Sequence, residues 1–105
     1  MTDRRDEVTE RVAVVGKLQP DSRRRATEIL AEGAPYELGE TGFRRHSVFL
    51  GAETVVFVFE GSGIAGLVRD LVNDPARSAA FSIWGPVLEG TPELAREEFH
   101  WEATD

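Results

Sequence analysis

The chain has 105 residues, no cysteine and a net charge of −7, and 41% of its residues are hydrophobic. This length fits one domain. The acidic balance disfavours nucleic acid and anionic membranes as partners, because both bind cationic surfaces. The lack of cysteine excludes disulfides, thiolate catalysis and cysteine-ligated metals, and is typical of a cytoplasmic protein.

The first ten residues are charged and contain no apolar stretch of the kind found in secretory signals. No apolar run in the chain approaches the ~20 residues that span a bilayer. We therefore predict a flexible N-terminal arm over residues 1–10, a single domain over residues 11–105, and no membrane partner.

The first predicted strand covers residues 11–18 (RVAVVGKL), which are apolar at adjacent positions. Residues 20–22 (PDS) favour the start of a helix, and Gly33 its end. The run from Arg23 to Arg25 occupies the first turn of this helix, where carboxylates are usually preferred. These arginines indicate either a solvated helix face or a phosphate site.

Two further strands form a predicted hairpin. Residues 43–50 (FRRHSVFL) and 54–59 (TVVFVF) are rich in β-branched and aromatic side chains. Gly51-Ala52 is the predicted turn between them. The second strand is apolar at odd and even positions, so we expect both of its faces to be covered.

The second half of the chain predicts a broken helix and a last strand. Residues 64–72 have the apolar spacing of an amphipathic helix. Residues 73–75 (NDP) stop that helix and start another, which ends at residues 85–86 (GP). The last strand is predicted over residues 96–102 (REEFHWE), where aromatic and polar side chains alternate.

The order β-α-β-β-α-β predicts a ferredoxin-like split βαβ arrangement of the α+β class, with an antiparallel sheet in the order 4-1-3-2. Its central strands are the first and the third, the two that are apolar on both faces. Helices cover only one face of such a sheet, so the other face would be exposed in a monomer. A contiguous apolar surface of that size marks an interface. We therefore predict a homodimer in which two sheets pack face to face.

These elements also carry a resemblance to a known family. The segments RVAVVGKLQPDSRRRATEIL, FRRHSVFL, ETVVFVFEG, SIWGPVLEG and REEFHWE resemble the dimeric α/β-barrel superfamily over residues 10–102, with antibiotic-biosynthesis-monooxygenase-like and stress-response proteins nearest in layout. The resemblance implies a barrel-shaped dimer with a ligand-sized cavity between sheet and helices in each subunit. It does not imply one reaction, because the superfamily includes oxygenases, isomerases, cyclases and proteins without a known reaction. Haem-degrading members need a histidine on the second helical segment, and residues 64–84 contain none.

Residues 61–66 (GSGIAG) match the pattern G-x-G-x-x-G between a strand and a helix. We disfavour a dinucleotide site, because the preceding strand belongs to a hairpin and the motif requires a parallel βαβ unit. The backbone N–H groups of Gly63 to Ala65 remain suited to holding some anionic group.

His46 is the candidate catalytic residue, because histidine exchanges protons near neutral pH. With a two-residue Gly51-Ala52 turn, His46 lies opposite Phe57 on an apolar face and lines the cavity. One added loop residue would place Arg45 and Ser47 there instead. The alternative for His46 is a hydrogen-bonded structural histidine on an edge strand.

Neither a metal site nor a hydrolase site is expected. His46 and His100 lie on opposite edges of the predicted sheet, and the chain has no His-x-x-x-His spacing. Ser47 follows His46 directly in a strand, so the two side chains point to opposite faces. No cofactor is expected.

Tyr36, Trp84 and Arg45 complete the predicted substrate-binding set. The resemblance to cofactor-free oxygenases implies that Tyr36 and Trp84 position an aromatic ring, while His46 acts as general base or stabilises an anion. The expected function is therefore a cofactor-free monooxygenase- or isomerase-like enzyme acting on a small aromatic or polyketide-like molecule. The alternative is a non-catalytic homodimeric ligand-binding or stress-related module. The sequence does not decide whether the protein is an enzyme.

Overall fold

The structure is a computed structural model that describes residues 9–33, 43–73 and 82–103. Its elements in chain order are β1 (Thr9–Lys17), α1 (Arg23–Glu32), β2 (Phe43–Leu50), β3 (Thr54–Ser62), α2 (Ala65–Asn73), a 3₁₀ turn (Gly85–Val87) and β4 (Glu93–Arg96). The strands form one antiparallel sheet in the order β2-β3-β1-β4. The predicted ferredoxin-like α+β fold and its strand order are therefore confirmed.

The sheet has two faces with different surroundings. On β3, Val55, Phe57 and Phe59 are buried beneath the helices, on what we call the core face. Val56 and Val58 lie between them and are half-buried on the opposite side, which we call the open face. β1 shows the same alternation of buried and half-buried residues. The central strands therefore carry apolar side chains on both the core face and the open face.

The hydrophobic core lies between the core face and the two helices. α1 contributes Ala26 and Ile29, and α2 contributes Val68 and Val72. Their spacing of three or four residues places each pair on one side of its helix. The helices therefore follow the predicted amphipathic pattern and hold the core face away from solvent.

Helix α1 begins directly after Ser22, as predicted, although the Ser22 side chain makes no capping hydrogen bond. Two of the arginines in its first turn have partners within the chain. Arg23 Nε donates a hydrogen bond to the carbonyl oxygen of Gly51 at 3.2 Å. Arg25 Nη1 lies 3.3 Å from Glu28 Oε1. These contacts favour the solvated-face interpretation over a phosphate site.

The turn between β2 and β3 lies one residue later than predicted. The N–H of Gly51 donates to the carbonyl oxygen of Thr54 at 2.7 Å, so these two residues close the hairpin. The turn is therefore formed by residues 52–53 instead of Gly51-Ala52. The shift places Leu50 opposite Val55, whereas the predicted turn would have placed Leu50 opposite a glutamate. Pairing of apolar side chains across the strands favours the observed turn.

The corrected turn changes the neighbour of His46 but not its face. His46 lies opposite Phe59, and the prediction had placed it opposite Phe57. The partner moves by two positions, and strand side chains alternate with a period of two. His46 therefore stays on the core face, where the sequence had placed it.

The glycine-rich segment between β3 and α2 is a turn, and a carboxylate of the same chain binds to the helix start that follows it. Gly63 has a φ of 62°, which glycine adopts without strain. The N–H of Ala65, at the start of α2, donates to Glu10 Oε1 at 3.0 Å. In the described sheet β3 is antiparallel to both of its neighbours, so it does not belong to the parallel unit that a dinucleotide site requires. The carboxylate of Glu10 occupies the helix start that the sequence had suggested for an anion.

The last strand is shorter and earlier than predicted. β4 covers Glu93–Arg96 and pairs with β1 from Val12 to Val15, whereas the alternation had predicted residues 96–102. Leu94 packs against the core, which gives β4 its place in the sheet. Residues 97–103 follow without regular structure. The pairing of β1 with β4 ends at Val12 and Arg96, and no strand of the described chain pairs with residues 97–103.

Several predicted features fall wholly or partly outside the described residues. β1 begins at Thr9, so the predicted arm loses its last two residues to the strand, and the remainder of it is not described. The loop over residues 34–42, which contains Tyr36, and residues 74–81 of the broken helix are also not described. Of the helices in the described ranges, none has the length and apolar character to cross a bilayer.

Candidate functional site

An aromatic row lies on the core face, formed by Phe43, Phe59, Phe57 and Trp84. Phe57 and Phe59 project from β3, two residues apart. Trp84 meets Phe57 edge-on, with ring centroids 4.9 Å apart and ring planes at 86°. Phe43 packs against Phe59 with centroids 4.8 Å apart. All four side chains are buried, so the row is part of the core as well as the candidate site.

His46 is the titratable side chain that packs on the aromatic row. Its imidazole stacks on Phe59, with centroids 4.5 Å apart and an angle of 18° between the planes. Its Nδ1 lies 3.0 Å from the carbonyl oxygen of Val58. A carbonyl oxygen only accepts hydrogen bonds, so Nδ1 carries the hydrogen and Nε2 of the neutral ring is unprotonated. The local structure thus makes Nε2 a hydrogen-bond acceptor and a base.

Burial determines the protonation state of His46. The loss of solvation lowers the pKa of His46 below its usual value of 6.5, and the hydrogen bond to Val58 raises it by less. His46 is therefore neutral at pH 7. A neutral imidazole with Nε2 unprotonated is the form that a general base requires.

The lowered pKa of His46 predicts a loss of stability in acid. As the pH falls through about 6.5, the unfolded chain protonates His46 while the folded chain keeps it neutral. The unfolded state then binds more protons, so the free energy of unfolding decreases until the pH passes below the folded-state pKa. Urea unfolding at about pH 7.5 and 5.5 measures this decrease. We expect a smaller decrease in His46→Gln and in His46→Phe, which keeps a ring on Phe59. Equal decreases in all three proteins would contradict the prediction.

The structure brings together only part of the predicted site. His46 and Trp84 lie on the same face of the sheet and are linked through the aromatic row. Trp84 was predicted at the mouth of a pocket, and its side chain is only 5% exposed. Tyr36 lies outside the described residues, so its role in substrate binding stays a prediction. The stacking partner Phe59 and the carbonyl of Val58 were missed, because both depend on the strand register.

Arg45 lies on the open face, away from His46, in a row of alternating charges. Glu60 forms ion pairs on two sides, with its carboxylate oxygens 3.9 Å from Arg45 Nη1 and 3.8 Å from Arg11 Nη1. Arg11 Nε also donates to Glu97 Oε2 at 2.6 Å. Because Arg45 and His46 are neighbours in one strand, their side chains point to opposite faces and do not share a pocket within the chain.

Three cavities lined by described residues lie along the edges and the open face of the sheet, and His46 lines none of them. One of about 290 Å³ is a hollow on the open face, where the small side chains of Ala13 and Ala95 lie beside Val58. Another of about 350 Å³ lies near the start of α2, between Arg69 and Arg96. Among residues 9–33, 43–73 and 82–103, no three histidine or carboxylate side chains are grouped to hold a metal.

Solved structures share this architecture. Tetracenomycin F2 cyclase of Streptomyces glaucescens, a type-II polyketide cyclase, matches with a TM-score of 0.65 and 19% identity, over 90% of this chain and 98% of that chain. An antibiotic biosynthesis monooxygenase-type protein of Chloroflexus aurantiacus matches with a TM-score of 0.55 and 12% identity, over the same shares of the two chains. The chain shares the ferredoxin-like α+β fold of these two proteins.

This shared fold agrees with the resemblance found in the sequence. No family model matches the chain, and no curated protein matches its sequence. At identities of 19% and 12%, the solved structures show the fold and leave the reaction to be inferred from the site.

Proposed function

We propose that the protein is a cofactor-free enzyme of small-molecule biosynthesis that acts on an aromatic or polyketide-like compound, with His46 as the proton acceptor. The observation that carries the proposal is the contact of His46 Nδ1 with the carbonyl oxygen of Val58, which assigns the ring hydrogen to Nδ1. Its Nδ1 is held by the Val58 carbonyl, its Nε2 is unprotonated, and its ring stacks on Phe59. The shared fold with a type-II polyketide cyclase supports the same class of substrate.

The chemistry of the site suggests the first step. A flat ring suits the aromatic surroundings of His46, and an acidic O–H or C–H group suits Nε2. The proton moves from the substrate to Nε2, and its electron pair stays on the substrate as a phenolate or enolate. The resulting imidazolium keeps its Nδ1–H bond to Val58. This step is common to oxidation, isomerisation and ring closure, and Tyr36 and Trp84 are proposed to position the ring.

The proposed assembly is a homodimer that covers the open face. That face presents Val56 and Val58 from the centre of the sheet, with Ala13 and Val15 beside them. Phe49, on the edge strand, is 62% exposed. Two such apolar sheets pack face to face about 10 Å apart. A second copy of the chain would remove these side chains from water.

One observation favours the second candidate, a non-catalytic module. All four rings of the aromatic row are buried against one another or against the core, as in a filled hydrophobic interior. In that case His46 is a structural histidine, and any ligand binds without being converted. The two candidates therefore differ in whether a bound ring reaches Nε2 and loses a proton.

A pair of probes tests the role of Nε2. 1-Naphthol and 1-methoxynaphthalene share a ring system, and only the first has an acidic hydroxyl. We expect 1-naphthol to raise the melting temperature more than 1-methoxynaphthalene does, because Nε2 accepts its hydrogen bond. His46→Gln should remove this difference between the probes. His100→Gln is the matched control and should retain it.

The outcomes separate the two candidates. Binding that depends on His46, together with spectral conversion or oxygen uptake by a polyphenolic substrate, supports the enzyme. Binding without conversion across a panel of such compounds supports the module. An equal response to both probes in the wild-type protein would contradict a role for Nε2.

A further inference from the structure

The segment that follows β4 combines the sequence pattern of a strand with the absence of a strand partner. Residues 97–103 contain the alternation EFHWE, and no strand pairs with them in the described chain. Phe99 is 83% exposed and Trp101 is 73% exposed, more than the other large apolar side chains of the described residues. Two aromatic side chains this close together and this exposed are unusual on a monomer surface.

Contacts with Arg11 hold this segment beside β1. Arg11 Nε donates to Glu97, and Arg11 Nη2 contacts His100 Nδ1. His100 Nε2 lies 3.6 Å from Glu102 Oε1. These contacts hold Glu97, His100 and Glu102 together beside β1, and Phe99 and Trp101 remain exposed to solvent. The segment is positioned to present its aromatic residues to another molecule.

A receiving surface lies beside the start of the segment. The hollow of about 290 Å³ on the open face is bordered by Glu97 and floored by Ala13, Val58 and Ala95, from three adjacent strands. The exposed rings of the same chain do not fill it. Small apolar side chains next to a hollow form the kind of pocket that an aromatic anchor occupies in an interface.

We infer that residues 97–103 of each chain pack on the open face of a second copy, with Phe99 or Trp101 seated in its hollow. A two-fold interface is reciprocal, so each chain contributes the same segment and the same hollow. If the two-fold axis passes between the segment and the hollow of one chain, it places the segment of each chain over the hollow of the other. The segment reaches far enough, because the four steps from Glu97 to Trp101 span about 13 Å when extended. This inference rests on the proposed homodimer and adds which segment and which pocket hold it together.

Trp101 reports directly on the inferred contact. Trp84 is buried in the single chain, so quenching by acrylamide detects Trp101, and Trp101→Phe supplies the baseline. We expect the quenching constant of Trp101 to fall at least about threefold, and its emission to shift to the blue, as the concentration is raised through the dimer transition. Quenching that stays at the monomer value in the dimer would overturn the inference.

Paired substitutions test the energetic role of the segment. Phe99→Ser with Trp101→Ser should raise the dimer Kd at least about 30-fold, as expected for loss of buried aromatic anchors. Leu67→Ser, which alters a 41% exposed apolar residue on α2, should leave the Kd unchanged. A dimer of wild-type affinity in the double variant overturns the inference and leaves the proposed homodimer in place. A wild-type chain that stays monomeric overturns both.

Discussion

Replacing Trp84 with alanine is expected to lower the free energy of unfolding by about 3–5 kcal/mol, the range for deletion of a large buried aromatic side chain. Trp84 is 5% exposed, and its ring edge contacts Phe57 in the centre of the aromatic row. Alanine would leave a cavity beside β3 and remove the edge-to-face contact. Equilibrium unfolding in urea measures the loss, and the midpoint should fall while the slope stays constant.

Two variants separate the packing role of Trp84 from other effects. Trp84→Phe keeps a ring against Phe57 and should lose less than half as much stability as Trp84→Ala. Leu67→Ala alters a partly exposed residue of α2 and should stay within about 1 kcal/mol of the wild type. A loss of less than about 1 kcal/mol in Trp84→Ala would show that the tryptophan is not a core residue.

The burial of Trp84 also affects how ligand binding is tested. If Trp84 positions a substrate ring, alanine would reduce binding and stability together, and the two effects would be confused. Trp84→Phe and His46→Gln are better probes, because both keep a side chain of comparable size in place. Binding that is lost in His46→Gln but retained in Trp84→Phe would assign the polar contact with the ligand to the imidazole.

The fold was predictable because it depends on patterns that are local in the sequence. The apolar runs at residues 11–18 and 54–59 identify the central strands, and the β-rich hairpin identifies the edge strand at Phe43–Leu50 with correct bounds. Few sheet topologies are compatible with the order β-α-β-β-α-β when two of the strands are apolar on both faces. The sheet order follows from placing those two strands in the centre.

The register and the end of the chain were harder to predict, because they depend on which partner is present. The turn was predicted one residue too early because Gly51 is a favourable turn residue. The composition of a turn does not include the pairing of Leu50 with Val55, which favours the observed register. The neighbours of His46 and the bridging role of Glu60 both follow from that register. The alternation at residues 96–102 predicted a strand there, and this prediction was wrong, because an alternating pattern does not supply a pairing partner. Leu94 contacts the core and determines where β4 lies.

The two faces of the sheet separate the proposed chemistry from the proposed assembly. His46 and the aromatic row lie on the core face, whereas Val58 presents its carbonyl to His46 and its side chain to the open face. Val58 therefore contributes to the proposed chemistry through its backbone and to the proposed assembly through its side chain. A substitution of its side chain is expected to disturb the proposed assembly and to leave the carbonyl that orients His46 unchanged.

Val58→Asp is accordingly expected to convert the dimer to a monomer at micromolar concentration. The side chain lies near the centre of the open face, opposite Ala13 on β1 and Ser47 on β2. In a face-to-face dimer the new carboxylate would be buried without a partner, at a cost of about 3–5 kcal/mol, which corresponds to an increase in Kd of roughly 150- to 4,000-fold. The two-fold symmetry places a second carboxylate in the same interface. Light scattering after size exclusion measures the mass directly.

Controls distinguish loss of the interface from loss of the fold. Aspartate is unfavourable in a strand, so circular dichroism must show that Val58→Asp remains folded. Phe49→Ser is a milder variant, because its side chain is 62% exposed in the single chain, and it should also weaken the dimer. Leu67→Asp introduces the same charge on α2 and should leave the mass unchanged.

A Val58→Asp variant that remains folded and dimeric with wild-type affinity would show that the open face is not the interface. If the dimer persists in Phe99→Ser with Trp101→Ser but is lost in Val58→Asp, the face holds the two chains together without the C-terminal segment.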